Sequence, residues 1–166
     1  MVVGDELWFY FSGRSLQKPN NGTFSTGLAT LRRDGFYSMD AGSTPGTLVT
    51  HPLNFSGSHL FVNVNDPSGQ LTVDVLDANG NVIPGFAAAN CVPLSVNKTM
   101  QEVTWNGASS GSLAGQNVKL RFNLTNGSLY SFWVTASAQG ASNGYVAAGG
   151  PGFTGVTDTV GSAGQP

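Results

Sequence analysis

An all-β, antiparallel β-sandwich of jelly-roll type is the fold this sequence predicts, and three observations predict it. Apolar and polar residues alternate in short runs: Leu60, Val62 and Val64 stand against His59, Asn63 and Asn65. A period of two puts each set on one face of a strand. Turn chemistry separates the runs at near-regular spacing, at Pro67-Ser-Gly69, Asp77-Ala-Asn-Gly80 and Asn126-Gly127. Nowhere do apolar residues recur at helical spacing over several turns.

Taken in order, residues 6–12 hold the aromatic run Leu7-Trp-Phe-Tyr-Phe11 and read as a buried strand ending at Gly13. Arg14, Lys18, Pro19, Asn20, Asn21 and Gly22 mark a connecting loop. Residues 27–39 form two strand-patterned halves that meet at Asp34-Gly35. That pair suits a two-residue turn with positive φ at both positions, so a hairpin is predicted there. Its first strand puts Leu28, Thr30 and Arg32 on one face and Ala29, Leu31 and Arg33 on the other. Residues 47–55 read as one or two strands interrupted by Pro52, which removes a ladder donor and favours an edge or bend.

The alternating run 59–65 is followed by Leu71, Val73 and Val75 against Thr72 and Asp74, then by a short strand over 81–83. Segment 84–98 is irregular, 100–105 is strand-like, and 106–115 is a loop of small residues. Val118, Leu120, Phe122 and Leu124 then alternate with Lys119, Arg121 and Asn123, and Asn126-Gly127 leads into residues 128–135 as a second predicted hairpin. From residue 136 Gly, Ala and Ser dominate, a composition too poor in apolar surface to offset the entropy of ordering. It predicts a flexible Gly/Ala-rich C-terminal tail over 136–166.

At 166 residues the chain fits one domain with a core of its own. Charged residues are only 10% of it, against roughly 25% in an average domain. The net charge of −2 offers no basic footprint for nucleic acid and no polybasic patch for a membrane surface. Cys91 is the sole cysteine, so neither an internal disulfide nor a cysteine metal cage can form; a buried, inert thiol is expected. No apolar run approaches the ~20 residues of a membrane-spanning helix. The opening residues lead at once into a strand without the basic, apolar and small-residue regions of a signal peptide. The chain therefore reads as an excised module, with a complete small protein as the alternative.

Several motifs are matched in letters and lack their setting. Gly150-Pro-Gly-Phe-Thr-Gly155 fits the dinucleotide pattern, but no helix-forming stretch follows it. Gly107-Ala-Ser-Ser-Gly111 fits a nucleophile elbow, yet both histidines lie upstream, in the wrong order for that fold. Asp77, Asn79 and Asn81 imitate the first ligands of a calcium loop, while Val82 and Ala88 occupy its glycine and glutamate positions. A turn accounts for them, so no cofactor is predicted, a surface calcium ion being the alternative weighed. His51 and His59 lack a third zinc ligand at useful spacing. No motif selects a pair among the nine acids as a glycosidase dyad.

Aromatic side chains in the open would suit a sugar, a ring face stacking on C–H groups while polar neighbours bond the hydroxyls. Tyr37, Trp105 and Tyr130 are the candidates for that role, and Trp133 is weighed with them; core packing is the competing expectation for Trp105 and the favoured one for Trp133. Asn21, Asn54, Asn97, Asn123 and Asn126 each begin an Asn-x-Ser/Thr sequon, which points weakly to an extracellular or otherwise secreted protein.

The run Gly27-Leu-Ala-Thr-Leu-Arg-Arg-Asp-Gly-Phe-Tyr-Ser-Met39 resembles a recurring signature of glycoside hydrolase family 32-like proteins. Thr50-His-Pro-Leu53, Gly57-Ser-His-Leu-Phe-Val-Asn63, Val73-Asp-Val-Leu-Asp77, Ile83-Pro-Gly-Phe86, Val103-Thr-Trp105, Val118-Lys-Leu-Arg-Phe122 and Leu129-Tyr-Ser-Phe132 extend the likeness over roughly residues 5–135. Such proteins are secreted, with a five-bladed propeller followed by a β-sandwich. The resemblance implies that residues 1–25 are the remnant of a propeller's last strand plus linker, and 26–135 the sandwich. The family's catalytic carboxylates would sit on blades before residue 1, and none of its catalytic motifs falls on this chain. The first strand would then lack its partners and expose apolar surface.

The resemblance thus implies a non-catalytic accessory module that stabilises a propeller upstream in the same chain, with oligo- or polysaccharide contact as an added role. Arg32, Arg33 and Asp34 become the corner that holds the two units in register. The alternatives are an independent, lectin-like carbohydrate-binding module and a truncated hydrolase lacking its catalytic propeller.

Overall fold

Residues 1–15, 24–146 and 149–164 are described by the structure, a computed structural model. Most of the loop predicted over 14–25 lies outside them. The strands are β1 (Val2–Val3), β2 (Glu6–Arg14), β3 (Phe24–Arg32), β4 (Met39–Ala41), β5 (Gly46–Val49), β6 (His59–Asn65), β7 (Gln70–Leu76), β8 (Asn97–Val103), β9 (Lys119–Thr125) and β10 (Gly127–Thr135), with 3-10 turns at Ser110–Leu113 and Gly161–Gly164. The molecule is all-β with antiparallel sheets, as the alternation predicts.

Two sheets make the sandwich, one in the order β4-β10-β6-β8 and the other β5-β9-β7. Each step from β4 to β10 carries the chain from one sheet to the other. That order is a jelly roll's, with the outer strand of the smaller sheet replaced by the isolated bridges Leu76↔Val82 and Leu71↔Leu94. Its interior is formed by Leu60, Val62, Val64, Val103 and Leu129 from one sheet and Leu71, Val73, Val75, Leu120, Phe122 and Leu124 from the other. Cys91 lies in the same core, accepting from the Val73 amide, and burial pushes its thiol above the ordinary value. On the outer face of β7, Asp74 accepts from the Arg121 Nε (2.9 Å), the Asn123 amide (2.8 Å) and the Ala88 backbone N–H (2.7 Å). Burial alone would raise that carboxyl; these donors outweigh it and hold it below the usual range.

Both predicted hairpins are replaced by other connections. Asn126 does adopt a positive φ of 47°, but β9 pairs with β5 and β7 while β10 pairs with β4 and β6. The turn therefore crosses between sheets. Asp34 likewise has a φ of 51°, yet β3 pairs with β2 and β4 with β10. Gly35 is required for a different reason: a Cβ there would lie 2.6 Å from the Arg32 Cβ. The turn folds back tightly on Arg32 and sends the chain into the sandwich. The short strand expected at 81–83 is reduced to the single bridge at Val82.

Outside the sandwich, β1, β2 and β3 form a separate ribbon, with β2 and β3 in unbroken register from Glu6↔Arg32 to Arg14↔Phe24. The ladder runs across the 25/26 boundary drawn from the sequence, so both sides of that boundary belong to one element.

The stretch whose composition predicts a flexible tail folds back over the ribbon's base in its described residues. Val2 donates to Gly149 O (2.8 Å), Val146 to Val156 O (2.8 Å) and Ser162 to Gln139 O (2.7 Å). Its anchor is Asp158, fully buried and bonded to the Arg33 Nη2 at 2.8 Å. Burial would raise the Asp158 carboxyl, but the Gly161 amide (2.7 Å), the charge of Arg33 and the Val160 amide hold it below its ordinary range. A carboxyl depressed in the fold stabilises fully above its unfolded value of about 3.9, and that contribution disappears as pH falls through the folded value. Acidification below about pH 4 is thus expected to release segment 149–164 first. Asp158→Asn should do the same at neutral pH, at a cost of about 3–5 kcal/mol for breaking a buried pair. Amide exchange of Gly161 and Val160 against pH checks both; slow exchange in the variant would refute the anchor.

Candidate functional site

The ribbon meets the sandwich through two neighbouring arginines. Arg32 is the last residue of β3 and Arg33 the first of the turn that follows, and the two side chains leave in different directions. Arg32 turns onto the sandwich: its Nε donates to Asn63 Oδ1 (2.6 Å), Nη1 to Asn97 Oδ1 (2.5 Å) and Nη2 to Val64 O (3.0 Å). The same guanidinium lies 4.7 Å from the centroid of the Tyr130 ring. Burial lowers its pKa, with Tyr130 and Asp5 opposing, and an arginine stays charged under any such shift. Asn63 is buried beneath it and donates its amide to Arg33 O at 2.7 Å, so one side chain holds both arginines. Beside it Thr99 Oγ1 donates to Asp5 Oδ1.

Arg33 turns the other way and is buried, with Asp158 on Nη2, Asp34 at 3.9 Å from Nε and the Phe153 ring 5.3 Å away. Its Nη1 has no hydrogen-bond partner among the described residues. Arg33 also borders a groove of about 230 Å³ walled by Leu7, Phe9, Phe36, Tyr145 and Val146. Above the groove the ribbon shows apolar side chains on both faces. Phe9 and Phe11 lie on one, Tyr10, Phe24 and Leu28 on the other, and all five are exposed, Phe24 at 71%. The edge of β3 away from β2 carries no strand among the described residues.

The three aromatic candidates for sugar stacking go to three different places. Trp105 is buried: it packs edge-on against Phe86 (5.3 Å) and donates its indole N–H to Val73 O (2.9 Å). Core packing, the competing expectation for Trp105, accounts for these contacts, and the residue also borders a polar pocket over β6 and β8. Tyr130 is half-buried on β10 with one face under Arg32. Tyr37 stands in the loop before β4, 88% exposed. Trp133, expected in the core, is half-buried on the outer side, stacked on Phe61 at 5.6 Å.

A polar pocket of about 240 Å³ lies over the outer face of β6 and β8, lined by Ser58, His59, Glu102, Thr104, Trp105 and Ser109. His59 Nδ1 and Glu102 Oε1 are 2.7 Å apart. Leu60↔Val103 and Phe61↔Glu102 are paired, which puts His59, Glu102 and Thr104 on one side of the sheet. Ser109, the serine of the Gly107–Gly111 motif, reaches the pocket because the loop after Trp105 folds back through the bridges Cys91↔Trp105 and Trp105↔Ala108. No sequence motif joins these residues. The available signal is the outward position of His59 in the alternation of β6, together with the strand-like stretch holding Glu102.

The other motifs have structural explanations. Asp77 Oδ1 accepts from the amides of Asn79 (2.8 Å) and Asn81 (2.9 Å), which closes the turn that imitates a calcium loop. Gly150–Gly155 runs as a loop against the backbone of Val2. Asp66 is buried where β6 turns toward β7, accepting from the Val96 amide at 2.8 Å, and burial pushes its carboxyl up. No cluster of three His, Cys, Asp or Glu placed to hold a metal occurs among the described residues. No protein-family model, curated protein or solved structure matches the chain.

Arg32→Ala removes three charge-assisted bonds and leaves Asn63 Oδ1 buried without a donor, an expected loss of about 1.5–3 kcal/mol. Arg32→Lys should recover only part of it, because one ammonium cannot serve the three acceptors of a planar fork. In both variants the amides of β2 and β3 should exchange faster while those of Val62 and Val73 keep their protection. Equal loosening of ribbon and core would show that Arg32 acts on the whole fold instead.

Proposed function

We propose that the chain is a non-catalytic β-sandwich accessory module of a glycosidase-like protein, and that its ribbon is the surface by which it docks on and stabilises a β-propeller. The observation that carries this reading is the ribbon itself: Phe9, Tyr10, Phe11, Phe24 and Leu28 stand exposed on two faces of a ladder seated on the sandwich by Arg32. Exposed apolar surface gathered in one element is the mark of an interaction site. A propeller blade ends in an edge strand, and β3 offers a strand edge and flanking aromatics to receive it. The Arg33 Nη1 beside the groove supplies a buried donor for a main-chain carbonyl of the incoming strand. Contact with carbohydrate is the secondary part of the proposal, and Tyr37 favours the lectin-like alternative to the extent that its ring is open.

The test compares the isolated chain with the polypeptide encoded by the full reading frame. A propeller encoded ahead of residue 1 and marked slowing of amide exchange over 6–14 and 24–32 in the longer protein are the expected results. Phe9→Ser with Phe11→Ser should abolish that protection, each buried phenylalanine being worth about 1.5–3 kcal/mol to the contact. Absence of a propeller, or equal exchange in both proteins, would overturn the proposal. Retention of the isolated chain on immobilised polysaccharide would, in that event, favour the free-standing binding module.

A further inference from the structure

The pocket over β6 and β8 deepens the carbohydrate part of that reading and is independent of the docking part. We infer that it binds a neutral polyhydroxylated ligand, a single sugar ring or the terminal residue of a glycan, through its vicinal hydroxyls.

Several polar atoms in this pocket have no partner. In His59 and Glu102 only Nδ1 and Oε1 are used, on each other, which leaves His59 Nε2 and Glu102 Oε2 without a protein partner among the described residues. The side-chain hydroxyls of Ser58, Thr104 and Ser109 likewise make no hydrogen bond there, although the backbone of each does. Ser109 precedes the turn Ser110–Leu113, a position where a serine ordinarily caps, yet its hydroxyl makes no cap bond. Five of the residues lining the pocket thus each carry a hydrogen-bonding atom without a partner among the described residues, and the lining also includes the buried Trp105.

Chemistry then narrows the ligand. An anion would meet the Glu102 carboxylate, and no lysine or arginine lines the pocket to offset it. A metal ion would find one carboxylate and one imidazole, short of the three or more ligands that hold one. Sugar hydroxyls donate and accept at once, which matches an acceptor at Glu102, a ring nitrogen of either role at His59 and three hydroxyls that do both. A volume of about 240 Å³ falls below the ~300–1,000 Å³ of drug-sized sites and has room for one ring. Carboxylate-to-hydroxyl bonds supply the stronger contacts and fix the orientation.

The probes are D-fructose, L-arabinose, D-xylose and D-glucose with their methyl glycosides, titrated into the full chain and followed by ¹H–¹⁵N spectra. At least one should produce saturable shifts at the Trp105 indole N–H and at the amides of His59 and Ser109. Glu102→Ala should weaken binding about tenfold, the loss of a hydrogen bond to a charged group. Ser109→Ala should weaken it about threefold; that hydroxyl makes no bond within the protein, so the variant keeps the fold. The ribbon pair Phe9→Ser with Phe11→Ser should leave binding unchanged, which separates this site from docking. Absence of saturable shifts with every sugar, or shifts that Glu102→Ala and Ser109→Ala leave untouched, would overturn the inference.

Discussion

Two adjacent arginines, Arg32 and Arg33, at the point where β3 gives way to a turn send their side chains to opposite sides, and that divergence organises what lies outside the sandwich. One guanidinium is spread over Asn63, Asn97 and the Val64 carbonyl; the other is sunk against Asp158. Asn63 touches both, taking a hydrogen bond from Arg32 and giving one to the carbonyl of Arg33. The ribbon, the larger sheet and the C-terminal segment therefore share a single buried polar junction. Such a junction discriminates between arrangements more than it stabilises one, because each of its groups is costly to leave without its partner.

The sandwich relies on the opposite kind of force. Its interior is aliphatic and aromatic, and its polar groups are kept to the outer faces, where Asp74, Arg121 and Asn123 form a satisfied network. Trp105 joins the two regimes: its ring fills the core, and its N–H is satisfied by the Val73 carbonyl. The pocket beside it borrows a rigid wall from that packing. A polar site mounted on a core tryptophan and two paired strands stays in place without support from its ligand.

The sequence made the strands legible and left their neighbours obscure. Residues 59–65 are predicted from a period of two and observed as one strand, although its outer face is covered as well, Phe61 by Trp133 and Asn63 by Arg32. That period says which face a residue takes, and nothing about which strand lies alongside. Asp34-Gly35 and Asn126-Gly127 have the local geometry of tight turns, yet both connect strands that do not pair. The C-terminal segment is misjudged by composition for a related reason: counting apolar residues overlooks one buried carboxylate, Asp158, and the donors of Arg33, Ser142, Val160 and Gly161 gathered on it. Of the candidate site, Arg32 and Arg33 stand out in the sequence as an adjacent pair, whereas His59 and Glu102 meet only because β6 lies beside β8.

The strand order has a kinetic meaning as well. Within the sandwich no two consecutive strands are hydrogen-bonded partners, so every ladder of the core must close a loop that contains at least one other strand. The entropy of those closures comes before any reward from burial, which places the domain among slow-folding β topologies. The pairings between immediate neighbours in the chain belong to β1, β2 and β3, the part with the most apolar surface still facing water. A nascent chain can thus form its stickiest element while its core is still open. During that interval the ribbon is a hazard for association with other chains, and the speed of sandwich closure and of partner docking sets how long the exposure lasts.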